Sequence, residues 1–197
     1  MSGDTVIQDG RSGNSAKVGA NNRLHTDAIS KAAVIESSLN GDTYIFTTGS
    51  INLTSDSISW ILFAKNTDTV PWVVESITAT YGKSTGGSGD SFNQFNTGAT
   101  SGTLVDDGVD SVGINLNIGS PKPLTAIVKI GGEGKTITDG LNAPITLIPE
   151  GALFRTFPAG PVVVPPGTSF AVAFTPPVGN TNQNTAVQVV FFRELPK

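Results

Sequence analysis

Three short stretches carry residue types that could do chemistry. "KIGGEGKTIT" (129–138) ends its glycine run on Gly134-Lys135-Thr136, the closing residues of a phosphate-binding loop, behind a strand-like stretch. Such a loop requires Gly five residues before Gly134, where Lys129 stands, and its deviant form requires Lys directly before the paired glycines, where Ile130 stands. The physical objection is deeper. Phosphate is held at a helix N-terminus, and Gly140, Pro144 and Pro149 soon after Thr136 exclude a helix, so the stretch reads as a hairpin turn. His25 is the only histidine. With Asp27 and a serine it could form a hydrolytic triad, but there is no GxSxG elbow, and a general base needs a fixed position that its surroundings do not supply. "DDGVD" (106–110) gathers three carboxylates without the spacing or the closing Glu of a calcium loop, and reads as a solvated turn.

The remaining chemistry is excluded by count or by context. One His and no Cys cannot make a usual zinc ligand set, so neither metal nor cofactor is expected. Trp60 and Trp72 could stack on sugars, but each sits inside an apolar run and is better read as core. Two acids brought about 5–10 Å apart by folding would serve glycoside hydrolysis, and nothing local points to such a pair. The chain is not expected to be an enzyme.

The elements behind these residues are strands. At 197 residues and 38% hydrophobic, the chain can bury one good core. Its 23 Gly and 12 Pro exceed average usage of ~12% but fall short of the ~25–30% of disordered chains, which marks a turn-rich folded protein. Phe170, Val172 and Phe174 alternate with Ala171 and Ala173, and Val187, Val189 and Phe191 with Gln188, Val190 and Phe192; this is the period of a strand. "ISWILFAKN" (58–66) and "PWVVESITATYG" (71–82) form a similar pair across the short link "TDTV". Further short candidates lie at 42–48, 91–95, 112–117, 124–130, 152–157 and 161–164, separated by turns at roughly 8–12-residue intervals, as in an antiparallel sandwich or barrel. The one helical candidate is "TDAISKAAVIESSL" (26–39). The stretches 82–91 and 96–108 read as flexible or protruding loops.

Net charge is −4, and the twelve basic residues are scattered, so no nucleic-acid partner is expected. The longest strongly apolar run, 58–64, is far below the ~20 residues of a membrane span, and the polar start lacks the apolar centre of a secretion signal. No membrane partner is expected.

The opening residues pose the main question. Ordering residues 1–25 costs at least ~25 kcal/mol of backbone entropy. Against that, Val6, Ile7, Val18 and Leu24 offer about 6–12 kcal/mol if fully buried. The segment should therefore become ordered only where another surface also satisfies its backbone, for instance an exposed sheet edge. It reads as an arm that ties the domain to a neighbour.

"DGRSGNSAKVGANNRLHTDAIS" (9–30) resembles the opening of a family of tailed-phage virion proteins, the likeness lying in its Asp-Gly, Ala-Lys-Val and Asn-Arg-Leu steps. "GSINLTSDSISWILFAKNTDTVPWVVESITATYGKSTGGSGD" (49–90) is similar to the first strands and glycine loop of those proteins, and "VVPPGTSFAVAFTPPVGNTNQNTAVQVVFF" (163–192) to their closing strands. The resemblance runs from about Ile7 to Phe192 and departs from the family pattern at 91–108. It implies an all-β fold, an antiparallel β-sandwich of jelly-roll type with an extended N-terminal arm, displayed as a symmetric homo-oligomer and often serving as head decoration or cement.

Together these readings predict an arm and linker at 1–39 and a jelly-roll sandwich at 40–197. The expected function is a structural protein of a bacteriophage virion, made in the host cytoplasm and placed on the outer surface of the capsid. Its expected partners are the major capsid protein and copies of itself, a homotrimer before a dimer. The residues expected to dock are Val6, Ile7, Val18, Asn22, Arg23 and Leu24. The alternative is a glycan-binding tail, fibre or baseplate component using the loops 82–91 and 96–108, with Phe92 and Phe95 as its aromatic platform.

Overall fold

The computed structural model describes residues 5–8, 15–18, 24–25, 33–142, 146–148, 154–157 and 162–193. They fall into two compact units, Met1–Ala32 and Ala33–Lys197. The first unit holds three short strands, β1 (Thr5–Gln8), β2 (Ser15–Val18) and β3 (Leu24–His25), joined antiparallel in that order.

The second unit begins with helix α1 (Ala33–Leu39), half of the helical candidate; residues 26–32 lie outside the described residues. Backbone bonds from Asp42 to Ser37 and from Asn40 to Glu36 tie its last turn to the following strand, and it packs on β4 and β17. The division of the chain therefore falls at 32/33, and residues 33–39, expected in the arm, go with the sandwich. There follow β4 (Thr43–Thr47), β5 (Ile51–Leu53), β6 (Ser59–Asn66), β7 (Trp72–Tyr81), β8 (Ser91–Thr97), helix α2 (Thr103–Asp107), β9 (Val109–Ser111), β10 (Ile114–Asn115) and β11 (Ala126–Ile130). The chain closes with β12 (Leu141–Asn142), β13 (Thr146–Ile148), β14 (Phe154–Phe157), β15 (Val162–Val164), β16 (Ser169–Thr175) and β17 (Gln183–Arg193).

These strands build two antiparallel sheets. One runs β10-β4-β17-β7-β14, with β15 also on β7 and β5 also on β17. The other runs β12-β8-β16-β6-β11-β9, with β13 also on β8. Four pairings define the topology: β4 with β17, β6 with β16, β7 with β14 and β15, and β8 with β13. The first four core strands thus meet the last four in reverse order and alternate between the sheets, which is the jelly roll. Strands β9 to β12 and α2 are an insertion between the fourth and fifth core strands.

Sequence neighbours that read as pairs are separated by this winding. β6 and β7 lie in different sheets, as do β16 and β17. The short link after β6 crosses from sheet to sheet because Asn66, fully buried, gives it an internal scaffold. Its Nδ2 donates to the Val70 and Val164 carbonyls at 3.0 and 2.8 Å, and its Oδ1 accepts from the Asp68 N–H at 2.9 Å. Arg193, at the end of β17, pairs with Asp68 of the same link, Nε to Oδ2 at 2.6 Å.

The main core lies between the sheets. Phe46, Trp72, Val187, Val189 and Phe191 of one sheet belong to it with Leu62, Phe95, Phe170, Val172 and Phe174 of the other. A second cluster, Trp60, Phe63, Ala99, Leu104, Ala171 and Ala173, is closed by α2 and the inserted loop. This second cluster is why β6 is buried along both faces and why the alanines of β16, which alternate with its large residues, are themselves fully buried. Both tryptophans are core, as their runs predict.

Phe191 sits at the centre, its ring 4.6 Å from Phe46, 4.8 Å from Trp72 and 5.7 Å from Tyr44 between centroids. Phe191→Ala is expected to lower stability by about 3–5 kcal/mol in urea unfolding.

Candidate functional site

The arm expected to dock forms a small sheet by itself. Thr5 pairs with Val18, Val6 with Lys17, Ile7 with Ala16, and Val18 with Leu24. Of the expected docking residues, Val6, Ile7, Val18 and Leu24 lie in these paired strands, while Asn22 and Arg23 lie outside the described residues. The backbone partners expected from a neighbouring sheet edge are supplied, in β1 to β3, within the segment itself.

The glycine loop 82–90 is fastened to the loop after β16 and to the start of β17. Gly82 N–H bonds Asn184 O at 2.7 Å, Thr85 bonds Asn182 at 2.9 Å, Ser88 bonds Val178 at 3.0 Å, and Ser84 Oγ donates to Asn180 Oδ1 at 2.7 Å. Asn180 reaches on to the Leu53 and Ser55 carbonyls, which brings in the loop before β6. This end of the sandwich is therefore a knitted surface, not a protruding loop. Phe95 stacks on Phe170 inside the core and cannot serve as a glycan platform, which leaves Phe92, 39% exposed.

The insertion disposes of the tempting motifs. Strand β11 ends at Ile130, and the residues after it turn, with Gly134 at φ +70°. Lys135 Nζ donates to the Thr103 and Asp107 carbonyls at 3.4 and 3.2 Å, and its own carbonyl accepts from Trp60 N–H at 3.1 Å. A lysine closing the end of α2 in this way has no phosphate to meet. Asp110 of the acidic run pairs with Lys129 at 2.7 Å. Among the described residues, no cluster of three or more His, Asp or Glu side chains could hold a metal ion. His25 falls in β3 opposite Lys17.

Sequence reasoning missed a feature at the sandwich edge. From 111 to 118, exposure alternates strictly: Val112 is 78% exposed, Ile114 55%, Leu116 43% and Ile118 97%, while the residues between them are half-buried. The inward positions hold Gly113, Asn115 and Asn117. Asn115 Nδ2 donates to the Gly41 carbonyl at 2.8 Å and the Lys122 carbonyl at 3.3 Å, and its Oδ1 accepts from Asn117 N–H at 2.9 Å. Asn117 Nδ2 reaches the Leu39 carbonyl at 3.2 Å, at the end of α1. A Cβ at Gly113 would stand 2.3 Å from Leu124 Cδ2 and 3.0 Å from Phe46 Cε1, so a side chain fits there only if Leu124 swings aside and Phe46 gives way. The apolar residues face out because the inward places are taken. Leu116 and Ile118 then line, with Ile35 and Leu39 of α1, a groove of about 570 Å³.

Charges bracket this edge and are used up in doing so. Lys122 Nζ meets Asp42 Oδ2 at 2.8 Å, with the Asp42 carboxylate almost wholly buried. The Arg193 guanidinium lies 5.0 Å over the Tyr44 ring and donates to the Pro123 carbonyl. Burial pushes the Tyr44 phenol above its ordinary range, opposed by Arg193.

The comparisons with known proteins add little beyond this. No protein-family model and no curated protein matches the chain. The chain is similar to a chain of the Triatoma virus empty capsid, at 12% identity and TM-score 0.26, covering 91% of this chain and 83% of that one. It is also similar to a chain of Desmodium yellow mottle tymovirus, at 10% identity and TM-score 0.18, covering 89% and 97%. A third is the infectious bursal disease virus VP2 subviral particle, at 15% identity and TM-score 0.14, covering 80% and 40%. All three come from viruses; the likeness is weak, and the jelly-roll assignment rests on strand pairing.

Two outcomes follow. Gly113→Ala should destabilise by roughly 1–3 kcal/mol in urea unfolding, since the new methyl must displace Leu124 or Phe46. Thr54, through Oγ1 at 2.7 Å, and Ser55 hold the Glu133 carboxyl below the usual carboxylate range. Its folded pKa is depressed, so its contribution is present above the unfolded value of about 4.3 and is lost as pH falls through the folded one. The stability gap between wild type and Glu133→Gln should therefore be largest near neutral pH and close in the acid limb of a pH–stability curve.

Proposed function

We propose that this chain is a structural virion protein that decorates and cements a tailed-phage capsid, docking on the major capsid protein from the outer surface through its N-terminal strands. The observation that carries the proposal is the pairing of the first unit: β1, β2 and β3 make a sheet of only ten residues, with Val6, Ile7, Val18 and Leu24 among them. A sheet so small has little core of its own. Ordering it costs about 1 kcal/mol or more per residue, so a partner surface that takes up those apolar residues stabilises it.

The sandwich supports the same reading as a body to be displayed. Jelly rolls host many functions, so the fold alone decides nothing. A net charge of −4 without a basic stripe suits the outside of a shell better than its DNA-lined interior. The protein stands on the shell as a homo-oligomer, a homotrimer before a dimer, because several arms on one body hold each other at high effective concentration over a repeating surface. The alternative, a glycan-binding tail, fibre or baseplate component, retains Phe92 as its aromatic platform, and a glycan array with wild type and Phe92→Ala decides it.

Deleting residues 1–25 is expected to leave the sandwich's cooperative unfolding intact and to abolish co-sedimentation with capsid shells. Val18→Asp and Leu24→Asp should each weaken that binding roughly tenfold or more, the cost of setting a charge against an apolar contact. Retention of shell binding by the deleted chain overturns the docking role.

A further inference from the structure

We propose that the edge formed by Val112, Ile114, Leu116 and Ile118, with Ile35 and Leu39 of α1, is an interface between two copies of this chain. The edge is built against the ordinary rule. A strand with one apolar face buries that face, yet here three inward positions are a glycine packed against Leu124 and Phe46 and two asparagines bonded to backbone carbonyls. Slipping the register by one residue would press Val112 or Ile114 into the space that Gly113 barely fills and would strand those carbonyls. The outward apolar row is thereby fixed in place.

Its chemistry selects the occupant. From Ser111 to Pro121 there is no charged residue, and the flanking charges are committed, Asp110 to Lys129 and Lys122 to Asp42. Copies of a chain with net charge −4 repel each other over most of their surfaces, and this uncharged stretch is a place where they can meet without an unpaired charge. Only Ile114 and Asn115 are strand; the chain then bends at Leu116 and turns at Ile118, closed by the Ser120 N–H on the Asn117 carbonyl at 2.9 Å, which carries Leu116 and Ile118 to the groove beside α1. Contact between like surfaces about a two-fold axis is the commonest closed symmetry.

Area points the same way. The six side chains together expose on the order of 500 Å² of aliphatic surface, with Ile35, Leu39, Leu116 and Ile118 sharing one groove and Val112 and Ile114 preceding it in the chain. Counted on both copies, this reaches the ~1,000 Å² at which a specific interface begins. The remaining exposed aliphatics include Val178, Val163, Leu141 and Ile58, on separate elements. The inference deepens the oligomer named in the proposed function and specifies its contact; a two-fold contact closes at two copies and so favours the dimer.

The test uses the full chain. Sedimentation equilibrium at about 100 µM should show a dimer. Val112→Lys combined with Ile118→Lys should weaken it roughly tenfold or more, while Val178→Lys, at a residue of similar exposure, should not. Both lysines point into solvent, and an unchanged unfolding midpoint will confirm that the fold is kept. The chain has no cysteine, so in Ile114→Cys the new thiol is unique, and mild oxidation should give a covalent dimer that Val178→Cys does not. A monomeric wild type, a dimer indifferent to the paired lysines, or an Ile114→Cys thiol shielded within a monomer overturns the interface. Shell binding is scored separately: its loss with the dimer intact counts against the cement role alone, and a dimer indifferent to the edge counts against this inference alone.

Discussion

Strand β17 is inserted between β4 and β7, and the rest of the sandwich depends on that insertion. It pairs with Thr43–Thr47 on one side and with nearly all of Trp72–Tyr81 on the other, so the sheet that begins at residue 43 is closed only by the end of the described chain. Its alternation aims Val187, Val189 and Phe191 at the opposite sheet, and Phe191 enters the aromatic group of Tyr44, Phe46 and Trp72. The register shifts between Val190 and Phe191, a bulge that re-aims the strand's last residues. There Arg193 meets both Asp68 in the crossing after β6 and the ring of Tyr44. Such long-range pairing carries a large loop-closure cost before any contact compensates it, which makes this a slow-folding topology.

Asn66 shows how a sandwich replaces hairpins with crossings. A four-residue link between two apolar strands reads as a hairpin because short links usually join neighbours. Asn66 supplies the crossing instead with hydrogen-bond partners of its own: two carbonyls from different parts of the chain, an N–H from the link, and backbone bonds to the 167–168 turn before β16. Nothing in the residue type announces this. An asparagine beside a turn is ordinary until the strands around it bury it completely.

The two candidate surfaces differ in what builds them. The first unit is three short strands that pair with one another. The edge at 112–118 exposes an apolar row because the space beneath it is taken, by Leu124 and Phe46 under Gly113 and by backbone carbonyls around the asparagines. That row departs from the rule that apolar residues go inward, and it has an identifiable physical cause.

Much of the architecture was legible in the residues. Period-two alternation and β-branched runs located β4, β6, β7, β8, β11 and β14 to β17 within a residue or a few, because strand formation depends on local side-chain pattern. The failed phosphate-loop pattern and the buried tryptophans were equally local matters of spacing and hydrophobicity. Three things were decided only in three dimensions. Which strands are neighbours depends on winding, and the same alternation serves either sheet. Which face of "VGINLNI" points inward depends on whether the facing space is empty, and no property of the segment itself records that. Whether the opening strands find their backbone partners nearby or at a distance is a matter of pairing, and β1 to β3 pair with one another. Local pattern sets what each segment can become; the shape of the space left by the others sets which way it faces.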